Sequence, residues 1–367
     1  MALSRQKTLS IDLRWIDSSG VGVYIKGILP GLVERLKDFA IIGIGNCDRL
    51  GQFSWSRAEN VRLVDCRASR YSMVEQLQLL KAIPSETDLF FSPYYTIPLF
   101  YRGRIAVTVH DMSHLLIREL VKDARKRIYA KVMFKTIRRR ASLIFTVSDF
   151  TKSELLRLTH GPHDNNIVPT HLGISPEWSS ASQLPAVRGG RYLIAVGNVK
   201  PYKNFGRLVD AFQRIRDKIP HDLVIVGQSE GLITGESAEF FELIRESGDR
   251  VHLTGYVSFP DLKSLVGHAE ALVMPSLYEG FGLPPLEAMA AGVPVVTSTS
   301  ASLPEVCCDA ALYFDPMNVE DMANKLLTVA SNLEVRKELG RRGKERSRMF
   351  TWELCSQKTA DALRGCL

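Results

Sequence analysis

The sequence predicts an α/β protein built from two doubly wound parallel-sheet domains. Three observations carry this. Short apolar runs alternate with helical patterns, the alternation lapses and restarts around residues 176–190, and 367 residues are too many for one ordinary core. Apolar content of 45% with 24% charged residues excludes a disordered or fibrous chain.

In the first half, residues 9–13 read as a strand leading into a glycine-containing loop, Ser18-Ser19-Gly20-Val21-Gly22. A helix is expected over 24–36, where Ile25, Ile28, Leu29, Leu32 and Leu36 share one stripe. Further strands are expected at 39–44, 61–64, 89–92, 105–109 and 143–147, with a helix at 73–82. Residues 176–190 gather Ser179, Ser180, Ser182, Pro185, Gly189 and Gly190 without periodicity, which reads as a linker. The pattern then resumes with a strand at 192–196 and a helix at 205–215, where Phe205, Leu208, Val209, Phe212 and Ile215 align. Strands follow at 223–226, 251–253, 271–274, 293–297 and 311–314. In open parallel sheets ligands lie beyond the carboxyl ends of the strands. The polar and glycine-rich segments here follow residues 13, 109, 196, 226 and 274, and a small-molecule site in a cleft between the two domains is expected.

The six cysteines form no C-x-x-C pair and no zinc spacing, so reduced thiols are expected. Met1 to Lys7 is polar and no run reaches about 18 apolar residues, so a cytoplasmic chain without a membrane-spanning helix is expected. The net charge of +7 is local: residues 118–140 hold ten basic and two acidic residues. That argues for one anionic partner at one place, not for nucleic acid. Ile128, Val132, Phe134 and Ile137 interleave with Lys131, Lys135 and Arg138. A helix with one apolar and one basic face is therefore expected to dock on an anionic membrane; ordinary packing on the first domain is the alternative.

The most informative segment is Tyr278-Glu279-Gly280-Phe281-Gly282-Leu283-Pro284-Pro285-Leu286-Glu287-Ala288, which follows the 271–274 strand. Two glycines let backbone approach a ligand, and Pro284-Pro285 suit the first turn of a helix. Free amides at that helix start favour an anion such as a diphosphate. Glu287, read as a first-turn residue, is placed to accept hydrogen bonds from a vicinal diol such as ribose.

This E-x7-E segment, with Ser302-Leu303-Pro304-Glu305-Val306 after it, closely resembles the signature of family 4 retaining glycosyltransferases. Val196-Gly197-Asn198-Val199-Lys200-Pro201-Tyr202-Lys203-Asn204 resembles their phosphate-binding strand–loop–helix. Thr108-Val109-His110-Asp111 and Thr146-Val147-Ser148-Asp149-Phe150-Thr151 resemble first-domain segments. The resemblance is strong over 192–316 and weaker before Gly190.

It implies a GT-B fold of two Rossmann-like domains, placed at 1–175 with a returning helix at 350–367, and at 188–347. It implies transfer of a hexose from a nucleotide sugar to a glycan or lipid-linked acceptor in polysaccharide assembly. The G-N-x-K-P-x-K-N form resembles bacterial mannosyltransferases, making GDP-mannose the first expectation. By the resemblance Lys203 contacts the diphosphate, Glu287 holds the ribose, and Glu279 with the backbone of Gly280, Phe281, Gly282 and Leu283 grips sugar and phosphates. His110 reaches the donor sugar, and Gly20 and Gly22 lie near the reacting centre. Asn198 departs from the arginine often found there and supplies no fixed charge; Lys200 is a partial substitute.

Three other readings stay open. Gly227-Gln228-Ser229-Glu230-Gly231 matches the nucleophile elbow of an α/β-hydrolase with Ser229 as nucleophile. The same fold also suits an epimerase or phosphorylase, or a non-catalytic sugar-nucleotide binding subunit. No D-x-D triplet occurs, and His110-Asp111 with His114 is a weak metal set, so activity without a metal or other cofactor is expected.

Overall fold

The computed structural model describes residues 5–68, 73–117, 124–162, 164–227 and 235–367. It contains two compact units, Met1–Gly173 with Thr351–Leu367, and Ile174–Phe350.

The first unit holds β1 (Thr8–Asp12), β2 (Ala40–Gly45), β3 (Val61–Asp65), β4 (Leu89–Ser92), β5 (Arg104–Val109), β6 (Leu143–Thr146) and β7 (Ile167–Pro169). All pair in parallel in the order β3-β2-β1-β4-β5-β6-β7. β1, β4 and β6 are buried along their whole length, as expected of a sheet covered on both faces. β7 escapes the sequence reading because it is three residues long and ends on proline. A proline is tolerated there because the strand lies at the sheet edge.

The first helix is Ser19–Arg35, so Gly20 and Gly22 belong to its opening turns and not to the expected loop. Glycines add nothing to an apolar stripe, which hides this start from periodicity. Gly22 is needed for packing: a Cβ there would lie 2.5 Å from the Ile16 carbonyl oxygen, whereas one on Gly20 meets nothing within 4 Å. The final helix, Trp352–Gly365, returns to pack on Ser19–Arg35, with Arg364 paired to Asp38 at 2.5 Å.

The helix Ala124–Arg140 corrects the expected two-faced helix. Phe134 and Ile137 are fully buried with Ala130 and Met133. Arg138 is buried beside them and paired to Asp164 at 2.5 Å. Arg140 donates to the carbonyls of Leu99, at 2.7 Å, and Tyr101. Half of the expected apolar face is therefore core, and two of the three terminal arginines are structural. Arg118 and Lys122 lie outside the described residues, as does Ser229.

The second unit holds β8 (Tyr192–Val196), β9 (Asp222–Val226), β10 (Val251–Leu253), β11 (Ala271–Met274), β12 (Val295–Ser298) and β13 (Ala311–Phe314). These pair in parallel in the order β10-β9-β8-β11-β12-β13. The helix Phe205–Gln213 lays Phe205, Leu208, Val209 and Phe212 into a core with Leu193, Leu223 and Ile225. The unit begins earlier than the expected linker. Pro176–Gln183 is a 3-10 segment whose Trp178 is 2% exposed and meets Phe259 edge-on at 5.8 Å. One buried indole overrides a serine-rich composition. Leu333–Ser347, which lacks an apolar stripe, is a helix laced by Arg341 to Glu338 and Glu345, and it packs on Leu283–Ala291.

Candidate functional site

The strand order of the second sheet reverses between β8 and β11, adjacent strands in register through Ala271–Leu193 and Leu272–Ile194. Side chains that follow these two strands converge at their carboxyl ends, where such sheets hold ligands.

After β8 the chain runs through Gly197 to a 3-10 turn at Pro201–Lys203, and Asn204 enters the following helix with φ 60°. That left-handed residue is buried, and its Nδ2 donates to the carbonyls of Pro275, at 3.0 Å, and Pro316, at 2.9 Å. It thereby ties the turn to the loop after β11. Leu277 N donates to the Tyr202 carbonyl at 2.8 Å, a second tie. With both held, Lys203 Nζ meets Glu279 Oε1 at 2.6 Å, each side chain 13% exposed. Lys200 and Lys203 both place Nζ within 6 Å of the Tyr202 ring, at 5.8 and 5.6 Å. Asn198 is exposed. On the other side of β8, a Cβ on Gly227 would lie 1.9 Å from the Gly197 carbonyl oxygen. Only glycine permits β8 and β9 to end so close together.

The segment after β11 is set by Ser302. Its buried hydroxyl is shared between the carbonyls of Glu279, at 2.9 Å, and Phe281, at 2.8 Å. Gly282 then takes φ 106° as N-cap of the helix Leu283–Ala291. Because Pro284 and Pro285 have no N–H, the amides of Gly282 and Leu283 are the donors this helix start retains, and neither has a partner among the described residues. Glu287 is the fifth residue of this helix, a correction to its expected first-turn place. The benefit of the helix dipole is confined to the first turn. Its carboxyl is mostly buried, has no partner among the described residues, and is pushed up to about 7 by burial.

Sequence reasoning named Lys203, Glu279 and Glu287 but missed the two residues that hold them, Asn204 and Ser302. Their signals were an asparagine before a helical stripe and a serine ahead of Leu303-Pro304. Ser302→Ala should lower stability by about 1–3 kcal/mol, because two buried carbonyls lose their donor. Thermal unfolding measures it, and an unchanged Tm would show that the carbonyls find other partners.

In the first unit, His110 follows β5, and its Nε2 lies 2.9 Å from the carbonyl of Pro93, which follows β4. A carbonyl only accepts, so Nε2 carries the hydrogen. Burial holds the ring below the usual histidine range. The neutral ring therefore keeps its lone pair at Nδ1, which has no partner among the described residues. Tyr24 meets the ring edge-on at 4.9 Å. Asp111 is spent on Ser113, whose backbone N donates to Oδ1 at 2.8 Å.

Residues 177–346 match the Glycosyl transferases group 1 family. Over 375 residues the chain is 35% identical to O-antigen chain mannosyltransferase B of Escherichia coli, covering 94% of this chain and 96% of that one. It is 30% identical over 246 residues to the MMP alpha-(1->4)-mannosyltransferase of Mycolicibacterium hassiacum, covering 65% of this chain and 58% of that one. Among solved structures, Anabaena HepE in complex with UDP and glucose superposes with TM-score 0.76 at 16% identity, covering 98% of this chain and 100% of that one. The esterase, epimerase and binding-subunit readings give way to a transferase. The chain belongs to the group 1 glycosyl transferases, as a GT-B enzyme of polysaccharide assembly related to the bacterial O-antigen mannosyltransferases.

Proposed function

We propose that the enzyme transfers mannose from GDP-mannose, with retention of configuration, to a glycan or lipid-linked acceptor at the inner face of the cell membrane. It does so without a protein-bound metal or other cofactor. The observation that carries the donor site is the Lys203–Glu279 pair at the β8–β11 reversal, on the same chain segment as the amides of Gly282 and Leu283, which have no partner among the described residues. Lys203 and those amides meet the diphosphate, whose charge grows as the glycosyl bond breaks. Glu279 and the backbone of Gly280 and Phe281 hold the sugar, and the Glu287 carboxylate accepts from the ribose hydroxyls. His110 Nδ1 accepts a hydroxyl of the donor sugar, with Gly20 and Gly22 beside the reacting centre. Asn198 contributes no charge to the diphosphate.

Mannose is supported by the names of the two relatives, and retention by the α-linkage in the second name, since the sugar of GDP-mannose is α-linked. No carboxylate is assigned as a nucleophile. The acceptor hydroxyl therefore attacks the anomeric carbon from the face the diphosphate leaves. The carbon–oxygen bond to phosphate breaks as the bond to the acceptor oxygen forms, and a phosphate oxygen takes the proton.

A transfer assay in EDTA with GDP-mannose, UDP-glucose and dTDP-rhamnose, followed by NMR of the product, tests this. Mannose transfer with an α-linkage is expected. Transfer from another donor alone, an inverted linkage, or loss of activity restored by Mg²⁺ each overturns the corresponding part.

A further inference from the structure

The helix Ala124–Arg140 buries one side in the first unit and leaves the other unexplained. Its sequence contains no acidic residue. Arg127, Lys131, Lys135 and Arg139 recur every fourth residue, so they form one exposed stripe along the helix. None of the four has an ion-pair partner among the described residues. Exposed charges elsewhere are widely paired, as in Arg157–Glu154 and Arg341–Glu338. Next to this stripe stand Ile128 and Val132, one turn apart and 64% and 44% exposed.

The apolar exposure continues onto neighbouring elements. The helix Met73–Ala82 is joined to this one by Gln76 Nε2 donating to the Tyr129 hydroxyl at 3.4 Å, and it turns Val74 and Leu77 outward at 58% and 57%. Gln76 also accepts from Leu99 N at 2.9 Å. Arg140 holds the carbonyls of Leu99 and Tyr101, so Phe100 between them, 62% exposed, is pinned beside both helices. Scattered exposed apolar residues are ordinary, but five gathered on three linked elements beside an uncompensated basic stripe are not.

We propose that this face docks the enzyme on an anionic lipid surface. The inference rests on the membrane-side reading of function and gives it a place in the fold. The four basic side chains meet lipid phosphates, while Ile128, Val132, Leu77 and Phe100 enter the acyl boundary. Charge complementarity selects this occupant: a second copy of the chain would bring the same positive stripe against itself. The docking face excludes Arg138 and Arg140, which are held by the fold.

Co-sedimentation with phosphatidylglycerol-rich and pure phosphatidylcholine vesicles, at about 0.1 M and about 1 M salt, tests the proposal. Strong binding to the anionic vesicles at low salt is expected, lost at high salt. Lys131→Ser/Lys135→Ser should weaken it about 25-fold, near fivefold for each charge. Ile128→Ser/Val132→Ser should weaken it by about tenfold or more, and Lys337→Ser in the second unit should leave it unchanged. Equal binding to both vesicles, indifference to salt, or no effect of either double variant overturns the proposal. So does self-association that Ile128→Ser/Val132→Ser abolishes in a chain that ignores vesicles, which would assign the face to a second copy. Mannose transfer to a short water-soluble acceptor, measured on the same variants, reports the transferase reading separately and confirms that they fold.

Discussion

Replacing Lys203 with alanine should lower kcat by about 10²–10³-fold while changing the KM for donor far less. That is the usual cost of removing one preorganised group that faces developing charge. The motivation is geometric. Lys203 Nζ is held 2.6 Å from Glu279 at the carboxyl end of β8, by a turn that Asn204 ties to Pro275 and Pro316. A preheld ammonium needs no reorganisation when the diphosphate departs. In the proposed role its interaction strengthens as charge develops on the diphosphate, so its loss is expected to fall on kcat. Lys203→Arg should recover only part of the rate, because a planar guanidinium does not reproduce a compact ammonium in that turn. Steady-state kinetics with a thermal melt of each variant decide it. A loss confined to KM would make Lys203 a ground-state binding residue.

The second large effect concerns Glu287, whose carboxyl has no partner among the described residues and is raised to about 7 by burial. A folded-state value above the usual one of about 4.5 means the folded protein favours the protonated form. Stability from this group is full below the usual value and is lost as pH rises toward 7. Glu287→Gln, which carries no charge, should therefore stabilise the protein by about 1–3 kcal/mol at pH 8 and change it little near pH 4.5. Nucleotide binding should respond in the opposite sense. Ribose hydroxyls donate best to the ionised carboxylate, so GDP affinity should rise between about pH 5 and 8 in the wild type. In Glu287→Gln it should be weaker by about 1–3 kcal/mol at pH 8 and flat with pH. Calorimetry at three pH values with matched melting curves tests both halves. Unchanged GDP affinity in the folded variant would remove Glu287 from the ribose site.

A buried carboxylate that costs stability and has no partner among the described residues fits a residue retained for a ligand. The same logic separates the arginines of Ala124–Arg140. Arg138, buried against Asp164, belongs to the fold, whereas Arg139, exposed and unpaired among the described residues, is available to a partner.

The order of elements was legible in the sequence because alternation of apolar runs and helical stripes is a local property. Strands β8 to β13 were each found within a few residues, and so were the returning helix at the end of the chain and the 279–287 segment. Elements defined by something other than apolar periodicity escaped. Only the glycine-rich opening of Ser19–Arg35 was missed, its body being expected over 24–36; β7 is a three-residue edge strand closed by proline, and Leu333–Ser347 has no apolar stripe. The 279–287 segment pointed to Glu279 and Glu287 through its residues, and the family resemblance added Lys203 and His110 before any contact was known.

The tertiary structure alone decided which of these meet and in what state. Lys203 and Glu279 are far apart in sequence, and only the strand order that sets β8 beside β11 brings them together. The closures that hold them, Asn204 on two carbonyls and Ser302 on two more, are likewise long-range hydrogen bonds without a sequence period. The raised Glu287 carboxyl, the neutral His110 ring and the division of one basic helix into core and surface all follow from burial. Local sequence sets which groups a residue carries, but the water each group loses depends on neighbours brought from elsewhere in the chain.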